Sequence, residues 1–446
     1  MIPLEQVIEL IDKKQFKELR NYLSTLHPFD ISEIMEELNS KHSLLVFRLL
    51  SKDMAIEVFS HMEPAYQAKF SELIAEEELR EIVNELNFDD KIDYLEEIPA
   101  VLVKKILKNT PESERKLINQ FFNYPEYSAG SIMTIEFIDF KKQMTVKDSI
   151  ARIRKIGYDK ETIYTCYVTD RFRKLEGIIS LKDLILADEY AKIEDVMQSD
   201  FISVTTTTDQ ETVATTFRDY DLLALPVVDS ENRLVGIITV DDVIDVMEEE
   251  VTEDFHLMAG MQANEESYLD TSVKDLVKKR FPWLAILMIS AAFTRAIMEG
   301  YDSLLSSVIL LSANIPMLMG TSGNAGSQAS TLMVRSIAVG DVVFKDIFKV
   351  LWKELRVSIS IGIGLAILNF ISLIFFSHYP LDISLIVSVT LIATITVAKL
   401  IGSSLPILAK KIGLDPAIMA NPMISTILDA LVLITYFSIC SMALGI

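Results

Sequence analysis

Two sets of residues in this chain have types and spacing suited to chemistry. The first is Asp429, a lone carboxylate eight residues after Asn421-Pro422, with Ser425 and Thr426 one turn before it. At about 1.5 Å per residue it would lie about 12 Å along a straight helix from Asn421. An ionisable side chain at membrane depth is costly unless it faces water or a partner, so it marks a route for ions by default. The competing reading is an Asp429–Lys399 pair that holds two helices together. The second set is the stretch Asn314 to Ser330, NIPMLMGTSGNAGSQAS, inside an uncharged run over 303–334. A single helix of that length would overshoot a hydrocarbon core of about 30 Å. A break is therefore expected at Pro316, Gly320, Gly323 or Gly326, leaving Thr321, Ser322, Asn324, Ser327 and Gln328 to line a watery path. Close helix packing by small residues is the alternative, and it leaves Asn324 and Gln328 unexplained.

The elements that must position these groups are apolar segments. Five fit: 281–298, 303–334, 357–377, 383–409 and 420–446. Lys278, Lys279 and Arg280 precede the first, Arg335, Lys345, Lys349, Lys353 and Arg356 follow the second, and Lys410 and Lys411 end the fourth. The two alternate loops, EGYDS and HYPLD, carry no Lys or Arg. Basic residues stay on the cytoplasmic side, which places the N-terminal half in the cytoplasm and the C-terminus outside a cell (inner or plasma) membrane. Arg295 and Glu299, four apart, are expected to pair with each other.

The half before residue 281 has another character. It carries 33 basic and 56 acidic side chains, against nine and eight in the rest, so the net charge of −22 belongs to the soluble half. Such a balance argues against nucleic acid as a partner and for solubility or cation binding. The only cysteines, Cys166 and Cys440, lie in different halves, so neither a disulfide framework nor a Cys-based metal site is expected. The start, MIPLEQVIELIDKKQF, reads as an amphipathic helix and not as a signal peptide. No phosphate loop, nucleophile–base set or metal-hydrolase spacing is present, which argues against an enzyme.

Residues 1–129 read as successive short helices with acidic starts, as at Asp30, Asp53, Glu77 and Asp89, and predict an α-superhelical N domain. Over 130–250 a strand–helix–strand–strand–helix pattern occurs twice, with GIISLKDLI at Gly177 matched by GIITVDDVI at Gly236. This α/β repeat resembles a tandem pair of CBS modules. The resemblance implies an adenine nucleotide, ATP or another, whose ribose would meet Ser180 with Asp183 and Thr239 with Asp242; helix N-capping uses the same residue types at the same place. Next comes DVMEEEVTEDFHLMAG, a helix with Asp245, Glu249, Glu250, Glu253 and Asp254 mostly on one side, leading into a connecting, plug-like segment over 251–280. A solvated face is the ordinary explanation of such a run. Its place between a sensor-like module and a membrane offers another: divalent ions bridging it to Asp89, Asp90, Asp209, Glu211 or Asp242 could couple ion concentration to a gate.

PMLMGTSGNAGSQAS at Pro316 and DPAIMANPMISTILDALVLITYFS at Asp415, in this domain order, resemble the signature segments of MgtE-type magnesium transporters. Ser322 and Ser327 stand where some members carry Gly and Asn. The resemblance covers essentially the whole chain and implies a multidomain, five-span protein: N domain 1–129, CBS pair 130–250, connecting helix 251–280 and all-α pore domain 281–446. It further implies a homodimer with its pore between subunits, Asp429 at the ion site, and Asn421, Ser425, Thr321 and Asn324 beside it. Feedback closure would follow when Mg²⁺ binds Asp89, Asp209, Glu211, Asp242, Asp245, Glu250, Glu253 and Asp254. The expected activity is selective Mg²⁺ uptake down its gradient. A broader divalent (Co²⁺) carrier and a membrane-bound nucleotide sensor that transports nothing are the alternatives; with no His and the single Cys440 in the apolar segments, soft metals are disfavoured as cargo.

Overall fold

The structure is a computed structural model that describes residues 4–108, 110–262, 268–269, 271–419 and 421–445, without the side chain of residue 421. It divides into two compact units, Met1–Glu248 and Glu249–Ile446, each with its own interior.

In the first unit ten helices, α1 (Leu4–Asp12) to α10 (Glu112–Phe121), follow one another. Their starts are set locally: Asn39 and Ser51 cap α4 (Ser40–Leu49) and α5 (Lys52–Ser60) by accepting from His42 N and Met54 N. Helix α8 (Phe88–Glu97) buries Phe88, Ile92, Tyr94 and Leu95, which leaves Asp89, Asp90 and Asp93 on its other side. The duplicated α/β part forms two three-stranded sheets of the same topology. Strands β1 (Asp139–Phe140), β2 (Thr165–Thr169) and β3 (Leu175–Ser180) make one, and β4 (Val204–Thr205), β5 (Ala224–Val228) and β6 (Leu234–Thr239) the other. In each, the first pairing is parallel and the second antiparallel, with a register shift at Val168/Thr169 and again at Val227/Val228. The repeat read in GIISL and GIITV is thus a repeat of register. The copies interlock: Thr134 bridges to Ile237, and Ile178 to Gln198. Helices α11 (Val146–Ile156), α12 (Leu181–Leu186), α13 (Ile193–Val196) and α14 (Gln210–Tyr220) flank them. One apolar core joins the helical domain to the second module, running from Val7 through Phe88 and Phe121 to Leu225, Ile238 and Val243.

Helix α15 (Val240–Met258) leaves the last strand; it buries Val243 and Val246, while Val251 and Phe255 are exposed. The second unit is helical: α16 (Val273–Gly300), the short α17 (Asp302–Ser307), α18 (Ile309–Ala338), α19 (Ile347–Phe375), α20 (Leu381–Lys411) and α21 (Asn421–Leu444). Among the described residues four helices, α16, α19, α20 and α21, are long and apolar enough to cross a membrane. Helix α18 has the length, and its polar centre keeps it out of that set.

The expected break inside 314–330 does not occur. α18 runs unbroken through Pro316 and all three glycines, and the chain breaks instead at Val308, between α17 and α18. Packing overrides propensity here: α18 lies against both α20 and α21, whose contacts repay the roughly 1 kcal/mol that each helical Gly costs. The Asn314 amide, expected in a polar break, donates to Leu310 O at 2.8 Å, within its own helix.

Candidate functional site

Helices α18 and α21 run side by side and are tied at both ends. Near one end the Tyr436 hydroxyl donates to Leu311 O (2.9 Å), and near the other the Ser330 hydroxyl donates to Met419 O (2.7 Å). Asp429 lies on α21 between these tethers. Its carboxylate is half-buried and, among the described residues, forms neither a hydrogen bond nor an ion pair. Ser425, one turn away on the same face, is also half-buried, whereas the Thr426 hydroxyl is spent on Pro422 O (3.0 Å). The side chain of Asn421 lies outside the described residues.

One face of α18 is used for packing. A Cβ on Gly326 would fall 2.1 Å from a Leu428 methyl and 3.1 Å from Ala398 O, and one on Gly402 would fall 2.4 Å from Gly326 O. Helices α18 and α20 therefore cross backbone to backbone, as the small-residue alternative anticipated. The opposite face carries Pro316, Gly320, Asn324 and Gln328, spaced by four and all exposed. Around Gly320 and Gly323 there is open space, and Thr321 and Ser327 are half-buried beside them. The stretch thus divides into a packing face and an uncovered polar face.

Neither ion pair offered by the sequence, Asp429–Lys399 as the competing reading or Arg295–Glu299, forms. Lys399 does not meet Asp429; its Nζ lies 3.7 Å from Glu354 Oε2, with both side chains buried. The sequence reading missed Glu354 because it placed the third apolar segment from 357 onward, three residues too late. Arg295 and Glu299, both exposed, make no ion pair, since at a helix surface such a link is worth too little to fix two long side chains.

In the first unit, acidic residues from separate segments crowd together. Burial, then Asp90 nearby, pushes the Asp89 carboxyl up to about 7; burial and Asp242 push Asp90 up to about 6. Asp242, at the start of α15, is pushed up to about 7 by burial and Asp89, although it accepts from Thr239 Oγ1 at 2.6 Å. Glu161 rises to about 8 through burial and then Asp89, Asp242, Asp241 and Asp90, and it also accepts from Asn87 (3.0 Å). Burial raises Glu136 against the pull of Lys160 and Lys91. Asp93 moves the same way, but its side chain is exposed and water screens it. The cation within α8, Lys91, is turned away to Glu114 (2.9 Å). Asp89 Oδ1 is buried with no hydrogen-bond partner. Glu136 and Glu161 escaped the sequence reading because nothing in the order of a strongly acidic half marks which acids meet.

The other candidates are placed as follows. Ser180 caps α12, accepting from Asp183 N (3.0 Å) and donating to Asp183 Oδ2 (2.6 Å), so both hydroxyl–carboxylate pairs are formed as caps. Asp209 caps α14 through Glu211 N (3.0 Å), and Glu211 is exposed. Burial and Glu248 raise the Asp245 carboxyl, while Glu250, Glu253 and Asp254 each have a partner in the structure. Among the described residues no three His, Cys, Asp or Glu converge to hold a metal ion directly. What the geometry offers a cation is therefore attraction through its water shell.

The family models agree with this layout. Residues 26–127 match the MgtE intracellular N domain, 129–190 and 193–249 match CBS domains, and 315–439 match the divalent cation transporter MgtE. The magnesium transporter MgtE of Thermus thermophilus is 36% identical over 442 residues, 98% of this chain and 97% of that protein. That of Bacillus subtilis is 30% identical over 436 residues, 98% and 96% of the two chains. The crystal structure of the cytosolic domain of the Mg²⁺ channel MgtE in complex with ATP is similar at 38% identity and a TM-score of 0.52, over 55% of this chain and 99% of that one. With relatives of this identity aligned along nearly its whole length, the chain belongs to the MgtE family of divalent cation transporters.

Proposed function

We propose that the protein conducts Mg²⁺ into the cell down its electrochemical gradient, with Asp429 attracting the ion and the uncovered face of α18 forming part of the wall. The observation that carries this is the unpartnered Asp429 carboxylate, held between two tethers on a helix packed against α18, whose other face is a polar, open stripe. One carboxylate per chain, doubled in a homodimer, attracts a hydrated divalent ion without chelating it, which conduction requires. Inward flow gains about 2.3 kcal/mol per charge per 100 mV. The N-terminal half then lies in the cytoplasm and the C-terminus outside. Loading Mg²⁺ into vesicles through Asp429→Ala protein tests it: uptake is expected to vanish with assembly intact, and normal uptake overturns the assignment.

The acidic groups of the first unit supply feedback. Asp89, Asp90, Asp242, Glu136 and Glu161 are costly to ionise together, and hydrated Mg²⁺ among them relieves that cost. Asp209, Glu211 and Asp245 of the first unit, and Glu250, Glu253 and Asp254 further along α15, are the other carboxylates of this reading. The end of α15 supports a mechanical link, for Gly260 (φ +69°) sits so close to Trp283 and Pro422 that it has no room for a Cβ. Pro422 begins the helix that carries Asp429, so movement of the acidic helix reaches the ion site directly. Neutralising Glu250, Glu253 and Asp254 together is expected to weaken closure by internal Mg²⁺; unaltered inhibition counts against a sensor there. An adenine nucleotide at the CBS pair would act as a modulator, since the related cytosolic domain was solved with ATP.

A further inference from the structure

The buried pair between Glu354 on α19 and Lys399 on α20 has no part in the reading above. Both side chains are buried, at 9% and 7% exposure. Their 3.7 Å separation is too long for a hydrogen bond, and Glu354 Oε2 has no hydrogen-bond partner. An ionic contact this incomplete is a poor fastener, and a buried pair is in general weak evidence for stability. Its depth is informative. Gly326 touches Leu428 on one side and Ala398 on another, so the next residues along, Asp429 and Lys399, lie at one level of the helix bundle. Helix α20 packs against both α19 and α21. Ala398, beside Lys399, and Leu428, beside Asp429, pack with Ile424 in one small apolar cluster. A lysine on its flexible four-carbon stem has two carboxylates on neighbouring helices to choose from, and the structure gives it to Glu354.

We propose that Glu354 is a positioning residue: it acts as the counter-ion that keeps Lys399 turned away from Asp429, so that the carboxylate of the ion path stays available to the cation. This rests on the reading of Asp429 as the path carboxylate. Removing the charge of Glu354 alone leaves a buried ammonium whose nearest remaining anion at that level is Asp429, and the path loses its negative charge. Removing both charges leaves Asp429 free again.

The test is Mg²⁺ flux through full-length protein in liposomes as a function of Mg²⁺ concentration, for Glu354→Gln, Lys399→Met, the double variant and Asp429→Ala. Glu354→Gln is expected to raise the half-saturating Mg²⁺ concentration about tenfold, and the double variant and Lys399→Met to stay within about threefold of the parent. A purely structural pair would lower maximal flux and melting temperature in both single variants without moving half-saturation, and that result overturns the proposal. So does a double variant as impaired in half-saturation as Glu354→Gln. Should Glu354→Gln fail to assemble, Glu354→Asp, which retracts the carboxylate, is expected to shift half-saturation the same way to a smaller extent; no shift overturns the proposal. Normal flux in Asp429→Ala defeats the path reading and this one together, whereas loss there with no shift at Glu354 defeats this one alone.

Discussion

Asp429 and Asp89 show how differently one residue type is treated in the two units. Asp429 stands without a partner in an apolar helix, and that isolation was legible in the sequence because nothing charged surrounds it. Asp89 was legible as acidic but not as crowded, since Glu136 and Glu161 reach it only through the fold. The crowd makes a prediction about pH. Each of these acids has a folded pKa above its unfolded value, so its cost to folding is absent below about pH 4 and grows as the pH rises through the folded values of about 6 to 8. Without divalent ions, a 1–248 fragment is expected to melt on the order of 5 °C lower at pH 8.5 than at pH 5.5. Excess Mg²⁺ is expected to raise the melting temperature more at the higher pH. Calorimetry at the two pH values checks both, and a melting temperature that rises with pH would defeat the crowding argument.

Among the elements, α18 is where reasoning from sequence was both most and least successful. The apolar length and the polar middle were visible, as was the pattern of small residues. Continuity was not, because Gly and Pro propensities point to a break, and only the faces of α20 and α21 show that packing wins. The two sets of glycines now make separable predictions. Gly402→Ala puts a methyl 2.4 Å from Gly326 O, and overpacking of this kind costs about 1–3 kcal/mol, so the detergent-solubilised protein is expected to melt earlier. Gly320→Ala and Gly323→Ala meet nothing within 4 Å and remove a helical glycine, so they are expected not to lower melting, and a loss of Mg²⁺ flux in them reports on the path alone. At the end of α15, Gly260→Ala combines a left-handed backbone with a clash against the Trp283 ring. Inhibition of flux by internal Mg²⁺ is expected to weaken in that variant, and inhibition as strong as in the parent would remove the proposed link.

For the molecule as a whole, composition carried more than any motif. The acidic soluble half and near-neutral apolar half follow from counting charges, and the duplicated sheets from a repeat of nine residues. Assembly as a homodimer came from the family resemblance alone, since residue patterns do not say which faces a fold leaves bare. The structure adds two such faces: α16, whose apolar window has none of its residues buried, and the stripe from Pro316 to Gln328. A homodimer would cover surface of this kind, and light scattering in detergent is expected to give a protein mass of twice 50.3 kDa. A monomer would remove the second carboxylate on which the proposed attraction depends.

The crossing of α18 and α20 has one more consequence. Where two backbones meet with no room for a methyl group between them, neither helix can slide or roll in small steps without losing contact altogether. The two therefore behave as a single strut. In the proposed ion path that strut is the fixed side, so any widening falls to α21, held by Tyr436 at Leu311 O and, just before its start, by the bond from Ser330 to Met419 O.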